Sequence, residues 1–357
     1  MAVLGFPGQF RIAGSGGIDI APRLGAKIAG MVERMSGNGL PGSPSVSVII
    51  PVYNGAETIR GTIECLLAQS RPATEIIVVD DGSNDRTVRI LEEFGDRIRI
   101  IKKANGGPAS ARNVGIREAE GEFIAFTDSD CFPATDWLEK LLAGFGGVMS
   151  AELEKQSANR SKSVEVGGTG GIVRSADRNL TGEYIDLIRL LDPEPDERGE
   201  IPYLITANAC FRKRALFEAG LFDEGFRKPG GEEAELCYRM RRAGYDFRLA
   251  PTALVRHKHR QSLRSLLRTL ANYGEGAARI AQLWPERRIE GVDRLLVRRL
   301  LGFRAWAGRF RLHRREHEVL KSLYFSFLDY LRQPAFLWGY RREERDAGSN
   351  QRHNSLP

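Results

Sequence analysis

Residues 123–131, Phe-Ile-Ala-Phe-Thr-Asp-Ser-Asp-Cys, set a short apolar run against two aspartates one residue apart, Asp128 and Asp130. Carboxylates this close and half-buried repel, and each raises the pKa of the other unless a cation neutralises them. Hard oxygen donors select Mg²⁺ or Mn²⁺ over zinc, and Mg²⁺ usually takes one or two carboxylates plus the phosphates of its substrate. A strand that delivers such a pair to its C-terminal end therefore predicts a metal–diphosphate site at the edge of an α/β sheet, where ligands of open parallel sheets bind. The competing reading is an Asx-type turn, with Asp128 capping a helix that starts near Thr135. Three residues do not decide between the two.

The sequence upstream supplies the sheet. Val46–Val52, VSVIIPV, is a β-branched run without polar alternation, the pattern of a strand covered on both faces. It stops at the turn Tyr53-Asn54-Gly55, and Ile59, Ile63, Leu66 and Leu67 follow at helical spacing. Glu75–Val79 is a second buried strand, ending in Asp80-Asp81-Gly82-Ser83. Val88, Leu91 and Phe94 mark a second helix, and Arg97–Ile101 a third strand. This is a βαβαβ unit with right-handed crossovers and helices on both faces. Asn105-Gly106-Gly107-Pro108 then opens a helix over Ala109–Glu118 bearing Arg112 and Asn113, and Phe123–Phe126 is the fourth strand.

Downstream, Ser150–Ser163 is polar and expected to be an exposed connection. The glycines of Val164–Val173, which contains GGTGG, are expected to form a loop, although such backbone also lets a ligand come close. Helices are expected at Phe211–Gly220 and Glu232–Gly244, the second opening with Glu232, Glu233 and Glu235. His257 and His259 follow an extended segment over Arg248–Val255, so alternation should turn only one of them inward. From Ser262 the pattern is helical and basic, with breaks expected at Pro285 and Pro334.

Composition narrows the class. The chain has 357 residues, 42% apolar and 28% charged, enough to bury a core. Its net charge of +7 is uneven: from Arg256 onward 22 Lys+Arg face 10 Asp+Glu, which leaves −5 on residues 1–255. Cys65, Cys131, Cys210 and Cys237 show no CxxC pairing, against a zinc site or a disulfide framework and for a reducing compartment. Neither a signal peptide nor an uncharged apolar run of about 18 residues is evident. The expected location is cytoplasmic, with the inner face of the membrane open, and the sequon at Asn179-Leu180-Thr181 is read as a chance match. The Gly14-Ser15-Gly16-Gly17 run lacks the spacing and the strand-to-helix context of a phosphate loop.

Four blocks occur in one order over Val46–His259: VSVIIPVYNGAETI, IIVVDDGSNDRT, NGGPASARNVGIREAEGEFIAFTDSDC, and TANACFRKRALFEAGLFDEGF with GGEEAELCYRMRRAGY. Together they resemble family 2 glycosyltransferases with a GT-A fold, a Rossmann-like and mostly parallel sheet with helices on both faces. The resemblance implies an inverting transferase that uses a nucleotide-sugar donor, a UDP-sugar first among the candidates, with a divalent metal, Mg²⁺ or Mn²⁺. It places Pro51 and Tyr53 against the nucleotide base, Asp81 with Asp80 at the base's N–H, and Arg112 nearby. Asp128 would hold the ribose or the metal, Asp130 the metal, and His257 the metal or diphosphate. The base that deprotonates the acceptor hydroxyl falls on the acid of an ED pair, here Glu233, with Glu232 next. Glutamate stands where the family usually has aspartate, one methylene longer. The three glutamates have a second reading as charges that favour a helix N-terminus.

The expected organisation is a Gly/Pro-rich leader (1–45), a GT-A catalytic domain (46–260) and a basic helical extension (261–357). The extension interleaves Leu, Phe and Trp with Arg, which fits either a membrane surface, bringing a carbohydrate or lipid-linked acceptor within reach, or packing on the catalytic domain or a second subunit. No nucleic-acid reader motif accompanies the charge. Rival functions are a polyprenyl-phosphate sugar synthase and a non-catalytic nucleotide-sugar scaffold. A dinucleotide-binding dehydrogenase would need a glycine fingerprint after the first strand, and Tyr53-Asn54-Gly55-Ala56 does not supply it. Sugar, acceptor and oligomeric state are not legible.

Overall fold

A computed structural model describes residues 44–146, 165–177, 179–259, 262–288 and 303–353. The leader, except for Pro44 and Ser45, and the connection at Ser150–Ser163 lie outside the described residues. The first strands alternate with helices as the apolar runs require: β1 (Val46–Val52), α1 (Ile59–Leu67), β2 (Glu75–Asp80), α2 (Thr87–Glu92), β3 (Arg99–Lys102), α3 (Pro108–Glu118), β4 (Phe123–Phe126) and β5 (Cys131–Pro133). Next come α4 (Trp137–Gly146), β6 (Glu165–Ser175), α5 (Leu180–Leu187), β7 (Ala209–Arg212), α6 (Lys213–Glu218), α7 (Glu232–Arg242) and β8 (Tyr245–His257). Three longer helices follow: α8 (Leu263–Leu283), α9 (Phe303–His313) and α10 (Val319–His353).

The eight strands of the described residues form one sheet in the order β3-β2-β1-β4-β7-β6-β8-β5. The chain winds outward from β1 to β3, then returns to place β4 on the other side of β1, with all four strands parallel. Strand order thus reverses between β1 and β4, and a crevice opens at the carboxyl ends of strands at such a switch point. Those ends carry Tyr53 and Asp128. Beyond β4 the direction changes: β7 runs antiparallel to β4 and β6, β8 parallel to β6, and β5 antiparallel to β8.

Successive side chains of β1 enter opposite cores, which explains its unbroken apolar run. Val48 and Ile50 pack with Ile59, Ile63 and Leu66 of α1 and Trp137 and Leu141 of α4. Ile49 packs on the other face with Ala111 and Ile116 of α3 and Leu236 and Met240 of α7. Gly115 brings α3 close, since a Cβ there would lie 2.5 Å from Ile49 Cγ2.

Three expectations are corrected. The glycines of Val164–Val173 belong to β6, buried in the sheet; a Cβ at Gly168 would lie 2.8 Å from Phe211 Cδ1, and one at Gly171 would lie 2.1 Å from the Ala253 carbonyl oxygen. Neighbouring bulk, and not loop conformation, demands them. Phe211 opens no helix; it pairs in β7, and the helix begins at Lys213. Pro285 does end α8, but Pro334 lies inside α10, which runs through it. Asn179 of the sequon caps α5, its Oδ1 accepting from the Gly182 N–H at 2.9 Å.

The extension packs on the catalytic body. Leu266 and Leu270 of α8 and Phe325 and Leu328 of α10 bury against Tyr184 and Ile185 of α5. No helix among the described residues is long and apolar enough to cross a membrane. All four cysteines are free.

Candidate active site at the sheet edge

The aspartate pair is held by backbone on both sides. The Cys131 N–H donates to the Asp128 carbonyl at 3.1 Å, tightening the turn, and the Lys258 N–H donates to the Asp130 carbonyl at 2.8 Å. Thr62 Oγ1 donates to the Ser129 carbonyl at 3.0 Å, so α1 also grips the loop. Because β5 pairs with β8 at Cys131 and His257, the imidazole arrives beside the second aspartate: His257 Nε2 lies 3.4 Å from Asp130 Oδ1. The helix that follows starts at Trp137, and its first N–H goes to the Ala134 carbonyl, so Asp128 does not cap it.

Ligand atoms of Asp128, Asp130, Cys131 and His257 lie within 4.8 Å of one another. Two carboxylates and an imidazole suit a divalent cation of the Mg²⁺ or Mn²⁺ type. The residues fit such an ion. Cys131 is the fourth member of the group that sequence reasoning set aside; its thiol is pushed well up by burial and then by Asp130 and Asp128, so it stays protonated. It packs beneath the site as a small apolar group. The two histidines do not diverge as expected: two positions apart in extended backbone they share a face, and the His259 ring lies against that of His257 with centroids 4.3 Å apart. Burial and then His257 push His259 down to about 3, so it is neutral.

Arg112 joins the aspartate loop to the glutamate helix. Buried on α3, it donates from Nη2 to Asp128 Oδ1 and from Nη1 to Glu232 Oε1, both at 3.0 Å. Its two terminal nitrogens are thus engaged by acids. Glu232 is 1% exposed and also accepts from the Gly230 N–H at 2.6 Å. Its neighbour Glu233 is only partly buried and accepts from Thr206 Oγ1 at 3.1 Å. Burial, and secondarily the charge of Glu232, pushes Glu233 up to about 8. One glutamate is locked in an ion pair, and the other holds its proton to higher pH than an ordinary carboxyl.

The other expected site residues lie at the carboxyl ends of β1 and β2. Tyr53 is half exposed at the end of β1, next to the partly buried Pro51. Asp81 accepts from the Gly106 and Gly107 N–H groups at 2.9 and 2.8 Å and from Lys103 Nζ at 2.6 Å. Asp80 accepts from the Ser83 N–H at 3.2 Å. The DDGS turn thereby fastens the glycine-rich turn ahead of α3. Thr206 opens the fourth sequence block, whereas Tyr203 and Tyr273 reach Glu233 unannounced by any motif: both tyrosine hydroxyls are pushed up by burial first and by Glu233 among the charges.

A sheet with this switch point, carrying an acid pair at its edge opposite a glutamate helix, is a GT-A fold. Residues 47–147 match the sequence model of glycosyl transferase family 2. It is 34% identical over 258 residues to the Pre-mycofactocin glycosyltransferase of Mycobacterium tuberculosis, across 69% of this chain and 50% of that protein. It is 29% identical over 269 residues to Glycosyltransferase AglE of Haloferax volcanii, across 74% and 80% respectively. The chain therefore spans about half the length of the first of these relatives. The mannosyltransferase PcManGT of Pyrobaculum calidifontis, solved in complex with GDP-Man and Mn²⁺, shares the fold at 16% identity, with a TM-score of 0.51 over 90% of this chain and 94% of that one.

Proposed function

We propose that the protein is an inverting, divalent-metal-dependent glycosyltransferase. It moves a sugar from a nucleoside diphosphate sugar, a UDP-sugar, to an acceptor hydroxyl in polysaccharide or glycoconjugate synthesis. The observation that carries this reading is the continuous contact Asp128–Arg112–Glu232, with the raised Glu233 next in sequence. It ties an acid pair suited to a cation to a carboxylate suited to proton removal.

The acceptor oxygen attacks the anomeric carbon from the side opposite the diphosphate, the bond from that carbon to the diphosphate oxygen breaks, and Glu233 takes the hydroxyl proton. Glu232 does not compete for this role, because Arg112 and the Gly230 N–H occupy its oxygens. Asp128, Asp130 and His257 would hold a divalent cation, which when bound neutralises charge on the departing diphosphate as a Lewis acid. Tyr53 and Pro51 offer a face for the base. Asp80 and Asp81 shape that face through the turns they fasten, and Asp81 keeps acceptor capacity for a base N–H after its three bonds. Arg112 serves the donor side through Asp128.

Thermal shifts with UDP, UDP-sugars and GDP-sugars, each with Mn²⁺, Mg²⁺ or EDTA, test the reading. Ligand at about 100 times its Kd stabilises by about 2.7 kcal/mol. A shift with a UDP-sugar that needs the metal, and that disappears when Asp128 and Asp130 are both changed to alanine, is expected. UDP binding equally well in EDTA and to that double variant would overturn it.

A further inference from the structure

We infer that α8, which lies outside the residues matched by the family, is a positioning element of the catalytic site. Gly276 seats the Gly230–Gly231 turn and so sets where Glu232 and Glu233 stand. The inference rests on Glu233 being the base.

The contact is backbone against backbone. A Cβ at Gly276 would lie 1.9 Å from the Gly230 carbonyl oxygen and 3.1 Å from Gly231 Cα; one at Gly231 would lie 2.9 Å from Gly276 Cα. Both turn glycines have positive φ, 132° and 96°, a conformation that leads directly into the first residue of α7. The turn also holds a catalytic-site carboxylate, because the Gly230 N–H donates to Glu232 Oε2. From there the contacts continue through Arg112 to Asp128. An unbroken chain of contacts thus joins α8 to both halves of the site.

Independent contacts fix α8 in the same place. Lys228, just before the turn, donates to Glu275 Oε2 at 2.8 Å, and Arg342 of α10 pairs with the same glutamate. Arg279 Nη2 bonds Asp223 Oδ2 at 3.0 Å. In turn α10 clasps α8, with a Cβ at Gly274 or Gly339 meeting the Phe336 or Ala271 carbonyl oxygen at 1.9 Å. Tyr273, on this face of α8, would touch a Cβ at Gly230 at 2.9 Å. The helical extension is therefore a bracket for the base as well as an appendage.

G276A in the full chain tests this. Ordinary contact begins near 3.4 Å, so the turn must move by more than 1 Å, and a displacement of that size costs about 100-fold in rate. A fall of that order in kcat is expected, with nucleotide affinity by calorimetry unchanged and amide exchange accelerated over 228–236 but not along α10. Unchanged kcat and unchanged exchange would overturn the inference. K228M, an exposed change, serves if G276A does not fold: a two- to fivefold loss of kcat, the worth of one partly exposed pair, with faster exchange over 228–236, supports the bracket, and neither effect refutes it. Exchange also separates the two readings. A wild type that transfers nothing would sink the proposed function, while exchange would still report whether Gly276 holds the turn.

Discussion

At the scale of single residues, the proposed chemistry turns on the division between Glu232 and Glu233. Adjacent glutamates at a helix start look equivalent, yet one meets a buried guanidinium and the other a hydroxyl. Glu233→Gln keeps the shape and removes the proton acceptor, and loss of a general base costs about 10²–10⁴-fold. The same substitution has an unusual expected effect on stability. Glu233 is raised from an ordinary 4.5 to about 8, so between those values the folded protein binds a proton that the unfolded chain has released. Its contribution is present below 4.5 and is lost as pH rises through about 8. E233Q should therefore flatten the decline of Tm across that window and melt no lower than wild type near pH 8, while kcat/KM of the wild type climbs as pH passes through the same region. A variant that loses stability together with activity would make Glu233 a packing residue.

At the scale of elements, β1, β2, β4 and the aspartate turn were legible because their signals are local: an apolar run of strand length, a turn and a pair of acids. What escaped depends on partners far along the chain. The glycines of β6 read as a loop because nothing nearby in sequence announces Phe211, Asn208 and Ala253, the groups that exclude a Cβ. The split between Glu232 and Glu233 was hidden likewise, since Arg112 precedes them by 120 positions. Pro334 escaped in the opposite sense, a local stop signal overridden by packing along α8. Proline in a helix interior costs about 3 kcal/mol relative to alanine. Pro334→Ala should thus stabilise the chain by about 1–3 kcal/mol, read as a higher denaturant midpoint at unchanged m. Destabilisation would instead make the ring part of the seam between α8 and α10.

At the scale of the whole molecule, charge is polarised, with −5 on residues 1–255 and +12 beyond. Packing has already used part of the extension's apolar surface, for Leu266, Leu270, Ala277 and Ile280 of α8 face inward. The turn between α9 and α10 stays open. Leu320 is 80% exposed there, flanked by the exposed Leu312 and Val319 and by the exposed Arg311, Arg314 and Arg315. Glu316 and Glu318 are exposed on the same turn, so local charge nearly cancels and attraction to an anionic bilayer must come from the molecular dipole, with the leucines supplying contact. Each basic group near such a surface is worth about 1 kcal/mol within a Debye length of about 10 Å. We propose peripheral binding of this kind, which would bring the site to lipid-linked acceptors. In co-sedimentation, vesicles containing phosphatidylserine should take up the protein at low salt and release it near 0.5 M NaCl, where screening is about twice as short-ranged. Pure phosphatidylcholine should not take it up, and Leu320→Glu should weaken uptake without touching nucleotide binding. Equal uptake by neutral and anionic vesicles would remove charge from the attraction, and uptake by neither would leave the basic extension with packing as its whole role.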